Sequence, residues 1–314
     1  MSGRVEVLMV GSYPDRDMKA MEEAWHVHRF WDIADKPAFL AEHGPAIRAL
    51  ATRGDLGADA ALIGALPSLE IIGCFGVGTD GIDLAAARAR GIRVTNTPDV
   101  LTGDVADLAI ALVLGVMRAL PQGDQHVRSG AWAKGPMPLV RRFYGKKLGI
   151  AGFGRIGQAV ARRAVGFDCE IGYFSRSAKP ERPERYFSSL VELARWSDIL
   201  VVTLAGGGGT LNLIDREVLA ALGPEGFFVN VARGSVVDEA ALLEALETGG
   251  IAGAGLDVFR NEPTIDPRFA RLGNVALQPH HASGTVETRA AMGQLVRDNL
   301  AAYFSGRPLL TPVA

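Results

Sequence analysis

Lys147 to Gly157 reads KLGIAGFGRIG, and its reading decides the fold. A short apolar run, Leu148 to Ala151, predicts a buried strand. The run breaks into Gly152, Gly154 and Gly157, and the apolar-periodic segment Ile156 to Val165 then predicts a helix. Strand, glycine turn and helix in that order form a dinucleotide-binding unit. The first glycine permits a tight turn, the second lets a backbone approach a pyrophosphate, and the third lets helix and strand pack closely. The helix N-terminus adds free N–H groups and a partial positive charge for the phosphates. A lone glycine pattern is weak, because ordinary βα turns use glycine too; the strand and helix on either side give it weight.

The chain after this turn keeps a βαβ rhythm. Strands are expected at Leu148 to Ala151, Glu170 to Phe174, Ile199 to Thr203, Phe227 to Val231, Gly253 to Val258 and Val275 to Leu277. Helices are expected between them at Ile156 to Val165, Leu190 to Trp196, Arg216 to Leu222 and Glu239 to Thr248. Six such strands make a full dinucleotide-binding domain. A last helix, Val286 to Phe304, is expected to return to an earlier domain and make that domain discontinuous.

A smaller α/β set precedes it. Strands are expected at Val5 to Val10, Trp25 to Trp31 (WHVHRFW), Ala49 to Gly54, Ile71 to Phe75 and Arg93 to Asn96. Helices are expected at Gly44 to Leu50, Asp59 to Leu66 and Leu84 to Arg90. Such parallel units bind ligands at the carboxyl ends of strands, here the loops Thr52 to Gly54 and Gly76 to Asp80. His26 and His28 share one face of a strand, but no neighbouring carboxylate or cysteine completes a ligand set, so they are read as strand-surface histidines and no metal is expected. Pro98 ends this half, and Thr102 caps a helix whose stretch Val105 to Val116 is apolar almost all round. Such a helix must be buried on every side, so the Asp104–Leu120 region is expected to pack partly against a second subunit in a homodimer.

Composition excludes other classes. The chain has 314 residues, 48% hydrophobic and 22% charged, with a net charge of −2. That is ordinary globular composition with no basic footprint for nucleic acid. No run approaches the roughly 18 apolar residues of a membrane helix. Cys74 and Cys169 stand far apart without metal or disulfide spacing. The opening MSGRVEVLMVGS lacks the layout of a signal peptide, so a cytoplasmic protein is expected.

The second strand of the dinucleotide unit selects the cofactor. NAD sites place a carboxylate at its end to bond the ribose 2′-hydroxyl. Here the strand runs into Ser175, Arg176 and Ser177, with Lys179 following. A guanidinium pairs with a 2′-phosphate and hydroxyls donate to its oxygens, so NADP(H) is expected. The chemistry is then hydride transfer. Arg233 stands past a strand end in NVARGSVVDE, Glu262 in FRNEP and His280 in QPHHASG. An arginine can hold the carboxylate and carbonyl of a 2-keto acid, and a protonated imidazole can deliver a proton to the carbonyl oxygen. A carboxylate on the far imidazole nitrogen fixes the tautomer and favours the charged form. Each of the three, taken alone, would be an ordinary surface ion pair or a satisfied histidine.

Over essentially its whole length the chain resembles the D-isomer-specific 2-hydroxyacid dehydrogenase family. The likeness rests on Gly76 to Asp83 (GVGTDGID), Asn96 to Asp107 (NTPDVLTGDVAD), Gly152 to Gly157, Asn230 to Asp238 (NVARGSVVD), Gly253 to Pro263 (GAGLDVFRNEP) and Pro279 to Gly284 (PHHASG). Within the family it is most similar to NADPH-dependent glyoxylate/hydroxypyruvate reductases and hydroxyphenylpyruvate reductases, through YFSRS, SDILVV, GTVETR and PLLTPV. The resemblance implies two Rossmann-like or flavodoxin-like α/β domains with parallel sheets and an active site in the cleft between them. The expected divisions are 1–98 with 286–314 for substrate binding and 99–285 for the dinucleotide. It implies that Arg233 binds substrate, Glu262 orients and His280 is the acid/base, with His281 set aside because only His280 follows the proline. Val77 and Gly78 would hold the substrate carboxylate through their amides, Leu101 would wall the pocket, and Arg53 would reach the distal end of the substrate. Gly152, Gly154, Arg155, Ile156 and Gly157 would carry the pyrophosphate and Ser175, Arg176 and Ser177 the 2′-phosphate. Val231 would meet the nicotinamide, Asp257 its carboxamide, and Thr203, Ala232, Arg233 and Ser283 would complete the cofactor contacts. The segment Trp132 to Tyr144 would supply part of the pocket wall.

Two departures stand out. The family commonly carries a Pro-Leu-Thr-Pro-like loop where this chain has Leu204, Ala205 and Gly206 to Gly209, and Gly103 stands where close relatives often carry an acid. The expected reaction is reduction of small 2-keto acids (glyoxylate, hydroxypyruvate, aryl-pyruvates or sugar-derived acids) to D-2-hydroxy acids. The alternatives are a NAD-linked dehydrogenase of phosphoglycerate, lactate or formate type, against which the Ser-Arg-Ser turn argues, and a non-enzymatic nicotinamide sensor. The latter is expected to need a partner-binding tail, and none is evident after the last helix.

Overall fold

The structure, a computed structural model, describes residues 4–313. Met1 to Gly3, part of the opening stretch read against a signal peptide, and Ala314 lie outside the described residues. The chain forms two compact units, Met1–Leu101 with Ser283–Ala314, and Thr102–Ala282.

The first unit contains β1 (Glu6–Met9), α1 (Asp15–Ala24), β2 (His26–Arg29), α2 (Lys36–His43), β3 (Ile47–Arg53), α3 (Ala60–Gly64), β4 (Ile71–Phe75), α4 (Leu84–Ala89) and β5 (Arg93–Thr95). Its five strands are all parallel in the order β2-β1-β3-β4-β5. This is the flavodoxin-like winding, in which ligand loops gather at carboxyl ends of strands. The central strands are apolar because helices cover both faces: every residue of β4 is buried. The long C-terminal helix α11 (Val286–Phe304) packs on β4 and α1 of this unit. Its Thr285 cap accepts the Thr288 N–H, and Arg297 pairs with buried Asp17 on α1.

The second unit contains α5 (Thr102–Met117), α6 (Leu120–Arg128), β6 (Lys147–Ala151), α7 (Arg155–Val165), β7 (Glu170–Phe174), β8 (Arg185–Phe187), α8 (Leu190–Trp196), β9 (Ile199–Val202), α9 (Arg216–Leu222), β10 (Phe227–Asn230), α10 (Glu239–Glu247), β11 (Gly253–Leu256) and β12 (Val275–Leu277). Seven parallel strands run β12-β11-β10-β9-β6-β7-β8. That is the Rossmann order with one strand added beyond β11, and its switch point lies between β6 and β9. The apolar helix α5 buries eight of its 16 residues and packs on α7, β10 and β11 of its own unit. No helix among the described residues is long and apolar enough to cross a membrane.

Three local readings are corrected. Gly44 to Leu50 is not a helix; after a single turn at Gly44–Ala46 the chain enters β3, because Ile47, Ala49, Leu50 and Ala51 are fully buried in a strand paired on both sides. The strand expected from Trp25 to Trp31 is confined to His26–Arg29, and a helical turn takes Phe30–Asp32. The edge strand β8 makes the second sheet seven-stranded rather than six-stranded.

Candidate active site

The glycine turn has the shape a dinucleotide requires. Gly152 sits at φ +97°, and a Cβ there would lie 2.8–2.9 Å from backbone atoms of Thr203 and Leu204. A Cβ on Gly157 would stand 2.2 Å from the Gly152 carbonyl oxygen, so only glycine lets α7 pack this close to β6. Space around Gly154 is open to 4 Å. Gly154 caps α7 without a side-chain bond, so the first N–H groups of the helix are not taken up by a capping side chain. Thr203, expected among the cofactor contacts, hydrogen-bonds the Gly152 carbonyl and closes the turn against β9. These features fit a bound pyrophosphate.

The β7 end carries no carboxylate among Ser175, Arg176 and Ser177. The turn is held by its neighbours: Ser175 Oγ donates to the Ser177 carbonyl at 2.6 Å, and the Tyr173 hydroxyl accepts the Lys179 N–H at 2.7 Å. The buried Tyr173 ring stacks on Phe153 of the glycine turn at 4.1 Å between centroids. Arg176 is exposed. The architecture thus fixes the turn without using the guanidinium and leaves it to solvent. Tyr173 as the anchor of this turn was not legible in the sequence, where it reads as one more strand aromatic.

Three segments of the second unit meet around His280. Glu262 Oε2 lies 2.6 Å from His280 Nδ1, and Glu262 Oε1 accepts the Phe259 N–H at 2.7 Å. Burial acts to raise the Glu262 pKa, but the His280 imidazole, the Phe259 amide and the Arg233 charge outweigh it and hold the carboxyl below its ordinary range. His280 itself stands at φ +52°, in the left-handed region. Such a conformation costs of order 1–3 kcal/mol and persists only where surrounding bonds impose it. They are present. The His280 N–H donates to the Asp257 carbonyl at 2.7 Å. The buried Asp257 carboxylate accepts the His281 N–H at 2.6 Å and the Ala282 N–H at 3.0 Å. Burial pushes the Asp257 carboxyl above its usual range, and the two amides pull against that shift. Expected to bond a carboxamide, Asp257 in this structure spends both oxygens on the turn that carries His280. The His281 side chain is exposed, and the Glu262 bond belongs to His280.

Arg233 follows β10 in a loop clamped by buried Asn230. The Asn230 side chain accepts the Ala232 N–H and donates to the Arg233 carbonyl, each at 3.0 Å. Val231 and Ala232 are buried, and Arg233 Nη1 donates to the Ala232 carbonyl. A Cβ at Gly234 would fall 2.0 Å from the Phe259 carbonyl group, so glycine brings the Arg233 loop onto the segment leading to Glu262. Asn230 is the positioning residue that sequence reasoning missed; its signal was an asparagine at a strand end before a turn.

In the first unit, β4 ends in Gly76, whose N–H donates to Thr97 Oγ1 at 3.0 Å, while Asn96 Nδ2 donates to the Val77 carbonyl at 2.8 Å. Among the described residues the N–H groups of Val77 and Gly78 donate to no backbone carbonyl. Leu101 is buried, and Arg53 pairs with Asp55 through two bonds of 3.0 and 2.6 Å. Ser283 lies in the turn between β12 and α11.

Known proteins similar to this chain share one family. Residues 110–282 match the D-isomer specific 2-hydroxyacid dehydrogenase, NAD binding domain. The chain is 52% identical over 293 residues to a hydroxyphenylpyruvate reductase of Plectranthus scutellarioides, covering 93% of this chain and 94% of that one. It is 47% identical to a 2-ketogluconate reductase of Gluconobacter oxydans over the full length of both. A crystal structure of an NADPH-dependent glyoxylate/hydroxypyruvate reductase from Sinorhizobium meliloti, in complex with NADP and malonate, superposes with a TM-score of 0.94 at 44% identity, covering 99% of this chain and 97% of that one. The matched family model and relatives of this identity and coverage show that the chain is an oxidoreductase that belongs to the D-isomer-specific 2-hydroxyacid dehydrogenase family.

Proposed function

We propose that this protein reduces small 2-keto acids to D-2-hydroxy acids with NADPH. The observation that carries the reading is the 2.6 Å bond between His280 and Glu262, beside the Arg233 loop. The glycine turn from Gly152 to Gly157 would hold the pyrophosphate, and Ser175, Arg176 and Ser177 the 2′-phosphate. When bound, NADPH supplies the hydride. Arg233 holds the keto acid by charge-assisted bonds. With Glu262 on Nδ1, His280 turns Nε2 toward the carbonyl oxygen and delivers its proton there. The likeness to reductases of hydroxyphenylpyruvate, glyoxylate, hydroxypyruvate and 2-ketogluconate supports this substrate class.

Initial rates with glyoxylate, hydroxypyruvate, 4-hydroxyphenylpyruvate and 2-ketogluconate, each with NADPH and NADH, test the reading. A clear NADPH preference on at least one acid is expected. Preference for NADH would overturn the role given to Ser175–Ser177, and no turnover with any pair would favour a sensor over an enzyme.

The working form is a homodimer joined through the Asp104–Leu120 helix region. Large apolar side chains stay exposed nearby in sequence: Leu120, Val127, Trp132, Leu139 and Tyr144. Large apolar side chains left exposed on one stretch of chain are what a partner surface would cover. Light scattering after size exclusion is expected to give twice the 33.3 kDa chain mass; a monomer at micromolar concentration would remove this assignment.

A further inference from the structure

The first unit gathers a ligand set that the active-site segments do not use. Parallel pairing of β1 with β2 puts Glu6 directly opposite His26, with His28 two residues along on the same face. His26 Nδ1 lies 2.9 Å from Glu6 Oε1 and His28 Nε2 lies 2.5 Å from Glu6 Oε2. Their ligand atoms all fall within 4.8 Å of one another. The two rings stack at 4.9 Å between centroids. The carboxylate that the sequence reading lacked comes from 20 residues before His26, carried there by the sheet.

We infer that Glu6, His26 and His28 form a binding site for a divalent transition-metal ion, with Zn²⁺ as the first expectation. Two imidazoles with one carboxylate suit zinc, cobalt, nickel or copper, whereas magnesium and calcium need all-oxygen sets. A cation at the shared point takes the place of the protons between ring nitrogens and carboxylate. Each imidazole then carries its hydrogen on the other nitrogen and offers a lone pair inward, so two stacked rings coexist without like-charge repulsion. Three protein ligands leave further positions to water. The surroundings hold the set in shape: Phe39 of α2 meets the His28 ring edge-on at 5.2 Å, and His43 stands 5.6 Å from it. The His28 side chain is only 15% exposed.

The site also has a mechanical consequence. β2 is the edge of its sheet, bonded only to β1. Glu6 and His26 begin their strands, at the end of the sheet opposite the Gly76–Asp80 loop. The ion would clip the edge strand to its neighbour away from the substrate loops, and so stabilise without entering the reaction.

Metal-free protein titrated with Zn²⁺ alone, and separately with Co²⁺ for its visible spectrum, tests the inference. One ion per chain is expected, with two nitrogen ligands in X-ray absorption and a Tm raised by about 5 °C at a hundredfold excess over Kd. The exposed His26→Ala and the milder His28→Gln are each expected to weaken binding at least tenfold, with unchanged circular dichroism and unchanged NADPH-linked turnover. Equal binding by the double variant would place the ion elsewhere and overturn the assignment. Failure of the unaltered protein to bind one equivalent would overturn it without any variant.

Discussion

His280→Ala lowers kcat about 10²–10⁴-fold while the Kd for NADPH stays near that of the unaltered protein. The loss follows from the role of the imidazole as the proton donor to the developing alkoxide, and a methyl group supplies nothing in its place. The neighbouring carboxylate sharpens the expectation. Glu262 sits below its ordinary range because its bonds outweigh the cost of burial, so it stays ionised through neutral pH and holds one imidazole hydrogen on Nδ1, leaving Nε2 to carry the proton that is transferred. A folded-state pKa below the unfolded one contributes stability above the unfolded value, and that contribution fades as pH falls through the folded value. Acid therefore breaks the His280–Glu262 pair from the carboxylate side. Fluorescence titration of NADPH and single-turnover rates separate binding from chemistry. Near-normal single-turnover rates in His280→Ala would transfer the acid role to another group, with His281 next in line.

The sequence showed the parts of this site more readily than its supports. The glycine turn is a local pattern: three glycines, a strand before them and a helix after, all within contact range along the chain. Arg233, Glu262 and His280 were each ambiguous alone and gained meaning as a set. The bonds that aim them were harder to see: Asp257 reaches amides 24 and 25 residues further on, and Asn230, only three residues from Arg233, acts through a backbone carbonyl and not through a side chain. The misread helix at Gly44 to Leu50 has a related cause. Its alanines and leucine favour helix locally, but pairing with β1 and β4 buries Ala49 and Leu50 in a central strand, and tertiary burial outweighs a preference worth a few tenths of a kcal/mol per residue. β8 was missed because Arg185–Phe187 is three residues long and sits on an edge, too short to show a period. Glu6 gave no sign of its two histidines for the same reason as Asp257: strand pairing, and not sequence distance, makes them neighbours.

Arg176→Asp reverses the cofactor preference, and it does so from an exposed turn. A charge-assisted bond is worth about 1.5–3 kcal/mol, so losing the guanidinium costs roughly 10–150-fold in kcat/KM with NADPH. The new carboxylate adds repulsion toward the 2′-phosphate and can accept a bond from the 2′-hydroxyl of NADH, as acidic residues do in NAD sites. The ratio of NADPH to NADH efficiencies is thus expected to fall by about 10²-fold or more. The fold tolerates the change, because the turn is fixed by the Ser175–Ser177 bond and by Tyr173 holding the Lys179 amide, neither of which uses the Arg176 side chain. Surface substitutions of this kind usually move stability by no more than about 0.5 kcal/mol, so a change in Tm is not the readout; paired kinetics with the two cofactors are. Salt gives an independent check: the NADPH advantage of the unaltered protein should shrink as ionic strength rises, since it rests on charge pairing at the surface. If the ratio is unmoved in Arg176→Asp, discrimination lies with another cation near this turn, Lys179 first, and Arg176 is an ordinary solvated charge.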